Sequence, residues 1–510
     1  MEKLSADIFK HIISLLPQRI GEEDVPVQQH GTLPRVLPAL ATVSRRFQYE
    51  IERRTFRTLY INTNSSELSE FEHILNSERR SYVQHLSITL TQPPGPSKTT
   101  EDERWYETEQ DRQARREDLT APLRRLWNFI NTWDEGASKG IYLGLTAYSS
   151  PCARQDSYYP QFGFSLLDLT ADAENFPLLP CVRHFDIDSL TCNWNPRVAL
   201  VLTSRMPKLE RAQWGLDEAM YDWGRYYSID KWCRDELVRS TQTMCLPPSV
   251  KKFSCRLKAP NYFCENRQAL PRFIKDGEHD PMSCAIRGLT RHCTEVSLAG
   301  PFHSSLFDPP RSGPAAEQQP CWQHTSILSV KMLPCSPDGS WLFRPESPGD
   351  VLDLPEGLID CTQLPPGYVD TEEGLEEAED YYDDHQEIVT PPKKYEFDMP
   401  KLVPDDEKLN AMIVAFARCC ARMPALKIAD LRFEDNNEDF PYQIICIAPF
   451  HRIDCWEAEM ANPADSYRMY LHFNDWLPTD ATITELKNVG VETIGQPSTI
   501  CYLEWGDFYD

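Results

Sequence analysis

A short strand that follows a helix and a break recurs along most of this chain, and this repetition limits the folds that the chain can adopt. Six copies alternate apolar and polar residues: Tyr82–Ile88, Cys181–Ile187, Ser249–Cys255 and Ala425–Leu431 are the clearest, and Lys208–Ala212 and Cys293–Leu298 are weaker. A helix between two strands returns the chain to the same edge of a sheet, so this order favours strands that lie mainly parallel.

The spacing of the copies indicates repeated units without a fixed period. Val182, Leu209, Val250 and Cys293 follow one another at intervals of 27, 41 and 43 residues, which is within reach of an irregular, leucine-rich-repeat-like solenoid. Helices are predicted before three of the strands, over Pro196–Met206, Ile229–Met244 and Leu409–Met423. The last has one continuous apolar face, which is typical of core packing rather than of a cofactor site.

The first sixty residues contain two amphipathic stretches. Ser5 is suited to cap a first helix, whose apolar residues recur at helical spacing until Pro17. A second helix is predicted from Leu37 to Ile51, with Pro38 in its first turn. Helices this short bury little surface by themselves, so an exposed apolar seam on them predicts docking to another polypeptide.

The same segment resembles the F-box motif, in particular that of a group of filamentous-fungal F-box proteins. The resemblance is carried by the runs LSADIF (4–9), LATVSRRF (40–47) and EIERRTF (50–56). Two later segments, 405–408 and 418–426, resemble the C-terminal region of that group. The resemblance implies binding to the adaptor subunit of a cullin-type ubiquitin ligase. The residues it assigns to adaptor binding are Leu4, Ile8, Ile12, Leu15, Pro17, Leu40, Val43 and Phe47.

Together these patterns predict a mixed α/β protein in which a small all-helical F-box module is joined to an irregular, leucine-rich-repeat-like solenoid. The expected divisions are a helical module at 1–61, a first solenoid part at 62–334, a Pro-rich and acidic insertion at 335–404, and a C-terminal solenoid part at 405–510. Residues 370–387 of the insertion contain ten acids and no Lys or Arg, so a solvated and partly disordered spacer is expected there.

Charge and cysteine usage exclude several classes of function. The net charge is −26, which opposes binding to nucleic acid and to anionic membranes. No stretch approaches the ~20 apolar residues that a membrane span requires, and the amphipathic N-terminus does not resemble a signal peptide. The 17 cysteines include no C-x-x-C pair, so reduced thiols in a cytoplasmic and/or nuclear protein are predicted, without a metal or cofactor.

No common catalytic motif is present, and the chain is predicted not to be an enzyme. His184, Asp186 and Asp188 alternate along one strand and could be imagined as a metal or acid–base site. However, Phe185 and Ile187 would then form the buried face, so the polar set more simply faces solvent or a partner. A group of aromatic residues between Trp214 and Trp232 fits interior packing or an interface.

Three functions remain open at this point. The first is a substrate receptor that binds the ligase adaptor through the F-box and an unknown protein target through the large domain. The second is a plain interaction scaffold whose N-terminal helices are packed internally. The third is an enzyme whose site has no recognisable motif.

Overall fold

The structure of the protein is a computed structural model. It describes residues 42–63, 65–92, 109–133, 140–149, 167–189, 194–217, 227–258, 272–275, 278–308, 322–345, 402–433, 442–451, 465–473 and 476–503. Within these ranges the strands are β1 Thr58–Asn62, β2 His85–Gln92, β3 Ile141–Ser149, β4 Val182–Ser189, β5 Arg211–Asp217, β6 Lys252–Lys258, β7 Glu295–Gly300, β8 Ile327–Met332, β9 Phe343–Pro345, β10 Leu402–Pro404, β11 Ile428–Phe433, β12 Tyr442–Ile447, β13 Arg468–Phe473 and β14 Thr499–Tyr502.

The α-helices of the described residues lie mostly between these strands. They are α1 Arg45–Thr55, α2 Ser65–Ile74, α3 Ser77–Arg80, α4 Glu109–Asn131, α5 Pro196–Ser204, α6 Tyr227–Thr241, α7 Pro281–Thr290, α8 Asp406–Ala421 and α9 Asp480–Ile494. The three helices predicted before strands correspond to α5, α6 and α8. None of the described helices combines the length and the apolar character needed to cross a lipid bilayer.

Twelve of the strands form one sheet whose order follows the chain. Strands β1 to β8 neighbour one another in sequence, and β11, β12, β13 and β14 continue the sheet in that order. All pairs from β1 to β8 are parallel, as is the pair of β8 and β11. The prediction of a mixed α/β fold with mainly parallel strands is therefore confirmed. Further along the sheet, β12 pairs antiparallel with both β11 and β13, and β13 pairs parallel with β14.

The same tight turn precedes most of the parallel strands. In each copy the amide of a buried residue donates to the carbonyl three positions earlier, as from Leu209 to Met206, Val250 to Pro247 and Leu426 to Met423. The spacing of Val182, Leu209, Val250 and Cys293 had suggested repeated units, and all four close such a turn. The other residues that close one are Val83, Thr325 and Leu426. Since each is buried, each anchors the start of a strand in the core.

Among the described residues, the hydrophobic core between β1 and β11 lies on one face of the sheet. Alternate residues of each strand are apolar and buried, and across the sheet one such row reads Ile61, Ile88, Leu145, Ile187, Trp214, Cys255, Leu298, Val330 and Leu431. This row joins helix residues such as Trp127, Leu200 and Phe416 in one cluster. The opposite side chains of the same strands therefore lie outside this core.

The predicted second N-terminal helix begins later than expected. Residues 42 and 43 form a turn, and α1 starts at Arg45. Ser44 has an extended backbone and its hydroxyl accepts a hydrogen bond from the Phe47 amide over 3.3 Å, which makes it the N-cap. A helix running from Leu37 through Ile51 without interruption is thus wrong, because a serine cap separates Val43 from the helix.

Helix α4 extends from its apolar part back through charged turns to Glu109. Glu109 lies 2.8 Å from the Arg112 guanidinium and 3.0 Å from that of Arg116. These pairs lie at helical spacing and support the extra turns. The apolar part of the helix is buried, with Trp127 fully covered.

The predicted insertion at 335–404 begins and ends in ordered structure. Strand β9 near its start pairs antiparallel with β10 at its end. Phe343 of β9 packs against Tyr442, with ring centroids 4.8 Å apart, which ties the pair to the main core. The acidic run of 370–387 lies outside the described residues.

A buried ion pair links two of the inter-strand helices. The Arg234 guanidinium on α6 lies 3.0 Å from the Asp280 carboxylate, with side-chain exposures of 5% and 2%. Asp280 also caps α7, since it accepts hydrogen bonds from the amides of Met282 and Ser283 over 3.2 and 3.0 Å. Removing one partner would leave the other charge buried without compensation.

We therefore expect Arg234→Ala to lower the free energy of unfolding by about 3 to 5 kcal/mol. The control is Lys231→Ala on the same helix, which removes an exposed ion pair with Asp235 and should cost less than about 1 kcal/mol. Urea denaturation of the purified chain measures both values. Equal and small losses would show that the pair does not stabilise the contact between α6 and α7.

Candidate functional site

The outward side chains of β1 to β8 and β11 form a continuous polar surface, which we term the polar face. Its middle row across the sheet reads Tyr60, Ser87, Gly144, Asp186, Gln213, Ser254, Ser297, Ser329 and Asp430. Tyr60, Gln213 and Ser297 are exposed. Parallel sheets are normally covered on both faces, so a polar and accessible sheet face is the main candidate for function.

The polar face ends at β12, where the outward side chains become apolar. Ile445 and Ile447 of β12 and Tyr470 of β13 are buried in a separate small cluster. Asp430, at the boundary, accepts hydrogen bonds of 2.8 Å from the side chains of Arg432 and Gln443. Its burial raises the pKa of the Asp430 carboxyl. The polar face therefore covers β1 to β8 and β11 and does not continue onto β12 and β13.

A tyrosine and a carboxylate form a half-buried polar contact on the polar face. The Tyr142 hydroxyl on β3 donates to Oδ2 of Asp186 on β4 over 2.8 Å. Gly144 lies beside Asp186 in the register, and a Cβ atom there would be 3.3 Å from the Tyr142 ring. The glycine thus leaves room for the ring to lean along β3 toward the carboxylate.

Burial changes the acid–base properties of both groups. It raises the pKa of the Asp186 carboxyl, although the hydrogen bond from Tyr142 acts in the opposite direction. Burial also raises the pKa of the Tyr142 hydroxyl, and the negative charge of Asp186 adds to this effect. The second oxygen of Asp186, Oδ1, is buried and has no hydrogen-bond partner among the described residues.

A second glycine allows an ion pair to cross a strand. Asp188 on β4, Gly215 on β5 and Arg256 on β6 are aligned in the register. The Arg256 guanidinium lies 3.2 Å from Oδ1 of Asp188, and a Cβ atom on Gly215 would come within 2.2 Å of that oxygen. Any larger residue at 215 would displace the carboxylate.

A groove of about 670 Å³ lies where β4, β5 and β6 begin, and we term it the rim groove. The residues that line it are Arg183, His184, Pro207, Lys208, Glu210, Arg211, Ser249, Lys251 and Lys252. The repeated turn places them together, because the amides of Lys251 and Lys252 both donate to the carbonyl of Glu210, over 2.8 and 3.1 Å. Residues far apart in sequence thus share one edge of the sheet.

His184, Asp186 and Asp188 alternate along β4, as the sequence pattern predicted. Phe185 and Ile187 are buried at 1% and 0% exposure, so the interpretation that the polar set faces outward is confirmed. Burial lowers the pKa of the His184 imidazole, against the opposing effect of Glu210. Within the described residues no group of three His, Cys, Asp or Glu side chains is arranged to hold a metal ion.

The structure also describes the adjacent residues Cys419 and Cys420 and part of the aromatic group between Trp214 and Trp232. Cys419 and Cys420 on α8 are both fully buried, and the described cysteines form no disulfide. Trp214 is also fully buried, and its indole donates to the Thr203 hydroxyl over 3.1 Å. Trp214 thus contributes to the core, whereas Trp232 at the other end of the aromatic group is half-buried.

Of the eight residues assigned to adaptor binding, the structure describes two, Val43 and Phe47. Val43 is exposed at 48%, whereas Phe47 is buried at 4% beside Ile51 on the same helix face. Leu4, Ile8, Ile12, Leu15, Pro17 and Leu40 lie outside the described residues.

The sequence did not identify Tyr142, Gly144, Gly215 or Arg256 as parts of the site. The sequence does contain one indication of Tyr142 and Gly144, because they alternate with buried residues. This alternation can be recognised only once β3 is identified as a strand. The partnership of Asp188 with Arg256 depends on pairing across two strands, which sequence spacing does not encode.

Comparison with protein-family models, with curated proteins and with solved structures finds no match to this chain. The inferences that follow therefore rest on the geometry of the chain and on the resemblance of its N-terminal residues.

The raised pKa of Asp186 predicts how stability depends on pH. A carboxyl whose pKa is raised on folding favours the folded state at low pH, and this contribution is lost as the pH rises above 3.8, the ordinary value for Asp. We expect the unfolding free energy of Asp186→Asn, relative to the natural chain, to increase as the pH rises through this range. Denaturation at several pH values measures the difference.

A second variant tests the same pair. Tyr142→Phe removes the hydrogen bond that lowers the pKa of Asp186, so this pKa should rise further, which NMR titration of the carboxyl detects. An Asp186 pKa at or below 3.8 in the natural chain would contradict the described burial.

Proposed function

We propose that this chain is a protein-binding subunit of a cullin-type ubiquitin ligase. Its N-terminal F-box-like segment would bind the adaptor, and its polar face would bind a protein target. The observation that carries the binding role is the one-sided sheet, which offers a broad polar surface with exposed His184, Arg211 and Arg256. The adaptor role depends on the residues that resemble the F-box.

We also propose that the large domain is a leucine-rich-repeat-like solenoid. Three features support this reading: the strand order that follows the chain, the turn repeated before successive strands, and helices gathered on one face. Solenoids commonly bind partners through an extended sheet surface. In this arrangement the transfer chemistry would belong to other subunits, and this chain would supply proximity.

A second candidate function is a scaffold that does not bind the adaptor. The observation that favours it is the burial of Phe47, at 4% exposure, and of Ile51. In that case α1 would use its apolar face within the chain. The two candidates share the polar face and differ only in the N-terminal segment.

Binding to the purified adaptor separates the two candidates. We expect the full chain to bind the adaptor, the double variant Ile12→Asp with Leu15→Asp to lose binding, and Val43→Asp to weaken it, because each change places a charge in the apolar seam. Isothermal titration calorimetry measures the affinities. The matched control is Leu178→Asp, which alters a similarly exposed apolar residue elsewhere and should bind normally. Full binding by the double variant would refute the proposed seam, and absence of binding by the full chain would refute the adaptor role.

A further inference from the structure

The rim groove is strongly basic although the chain as a whole is acidic. Its lining includes five cations, Arg183, Lys208, Arg211, Lys251 and Lys252, and one acid, Glu210. The chain carries a net charge of −26. A local concentration of like charges costs free energy, so its presence on an acidic protein calls for a physical explanation.

The register brings the cations against one another. His184, Arg211 and Lys252 are direct neighbours on β4, β5 and β6, and adjacent strands lie only about 4.8 Å apart. Like charges directly opposite each other on a sheet are destabilising. Arg211 and Lys252 are both exposed, so their charges are directed to the surface of the groove.

The anions of the described chain neutralise the groove only in part. Lys252 lies 2.7 Å from Glu295, outside the groove, and Arg183 lies 3.9 Å from Glu210 while donating to the Lys208 carbonyl over 3.0 Å. The side chains of Arg211 and Lys251 make no hydrogen bond or ion pair with any described residue. Arg211 and Lys252 also help to keep His184 neutral, since both lower the pKa of its imidazole.

We propose that the rim groove binds an acidic segment of a partner polypeptide, whose carboxylates would lie between Arg211, Lys251 and Lys252. This inference rests on the proposed function, because it specifies the class of target that the polar face selects. Charge complementarity carries it: bound carboxylates would relieve the repulsion between neighbouring cations and would form charge-assisted hydrogen bonds with their donors. A nucleic acid fits less well, because its extended phosphate chain would meet the acidic remainder of the protein.

Fluorescence anisotropy with the full chain tests this inference, using a labelled peptide of alternating Glu and Gly. We expect saturable binding that weakens as salt is added, and no binding of the matched Gln and Gly peptide. The double variant Arg211→Glu with Lys251→Glu should lose at least about tenfold in affinity. Lys251→Arg should retain binding, and thermal melting should show that each variant is folded.

The matched control is Lys427→Glu. Lys427 lies at the start of β11 in the same backbone setting as Lys251, since its amide donates to the preceding strand's Ser326 carbonyl over 2.8 Å, but it does not line the groove. This variant should bind the Glu peptide normally. An equal loss in Lys427→Glu and in the double variant would overturn the inference, because general charge would then explain the binding.

Three further results would also overturn it: equal binding of the Gln peptide, tighter binding of a single-stranded oligonucleotide, or Glu-peptide binding only after the acids of 370–387 are changed to amides. The last would identify the chain's own acidic run as the occupant. The Ile12→Asp with Leu15→Asp variant should still bind the peptide, and the Arg211→Glu with Lys251→Glu variant should still bind the adaptor. Failure of the groove and failure of the adaptor role are therefore distinguishable.

Discussion

In the part of the chain that the structure describes, a long parallel sheet buries one face in the core, and the rest of this structure depends on that constraint. From β1 to β11 the strands place aliphatic and aromatic residues toward the helices, and Ile187, Trp214 and Val330 are fully buried there. The outward residues of the same strands cannot then be apolar without exposing a large hydrophobic patch. They are mainly Ser, Thr, Asp, Arg, Lys and Tyr. The candidate site is thus a consequence of the fold rather than an addition to it.

The repeated turn aligns the starts of neighbouring strands and thereby determines which outward side chains lie next to each other. A buried residue such as Leu209 or Val250 closes each turn and fixes where its strand begins. Once the starts are aligned, the residues that follow are aligned too, and Glu210 and Lys251 become neighbours although about forty positions separate them. Packing in the core therefore determines which charges meet at the rim, even though none of these charges is in the core.

The six strands that the sequence predicted each follow the repeated turn and alternate apolar and polar residues, whereas β8 has both features and was still missed. Strands β12 and β13 are buried on both sides, so they lack alternation, and β3 contains Gly144. The outward direction of His184, Asp186 and Asp188 could be predicted from their spacing alone. Their partners could not, because the contact with Tyr142 and the pair with Arg256 depend on register across strands. The start of α1 was missed because the cap at Ser44 competes with a continuous apolar periodicity.

The charge of the polar face changes sign along the strands, from positive where they begin to negative further along β4. At the strand starts the neighbours are His184, Arg211 and Lys252, whereas two and four residues further along β4 lie the carboxylates of Asp186 and Asp188. Only Asp188 is bridged to a cation, across Gly215, while Oδ1 of Asp186 has no partner among the described residues. A ligand lying along β4 would meet cations first and the negative charges of the carboxylates next. Reversing such a ligand would place its carboxylates against Asp186, so electrostatics alone would select one orientation.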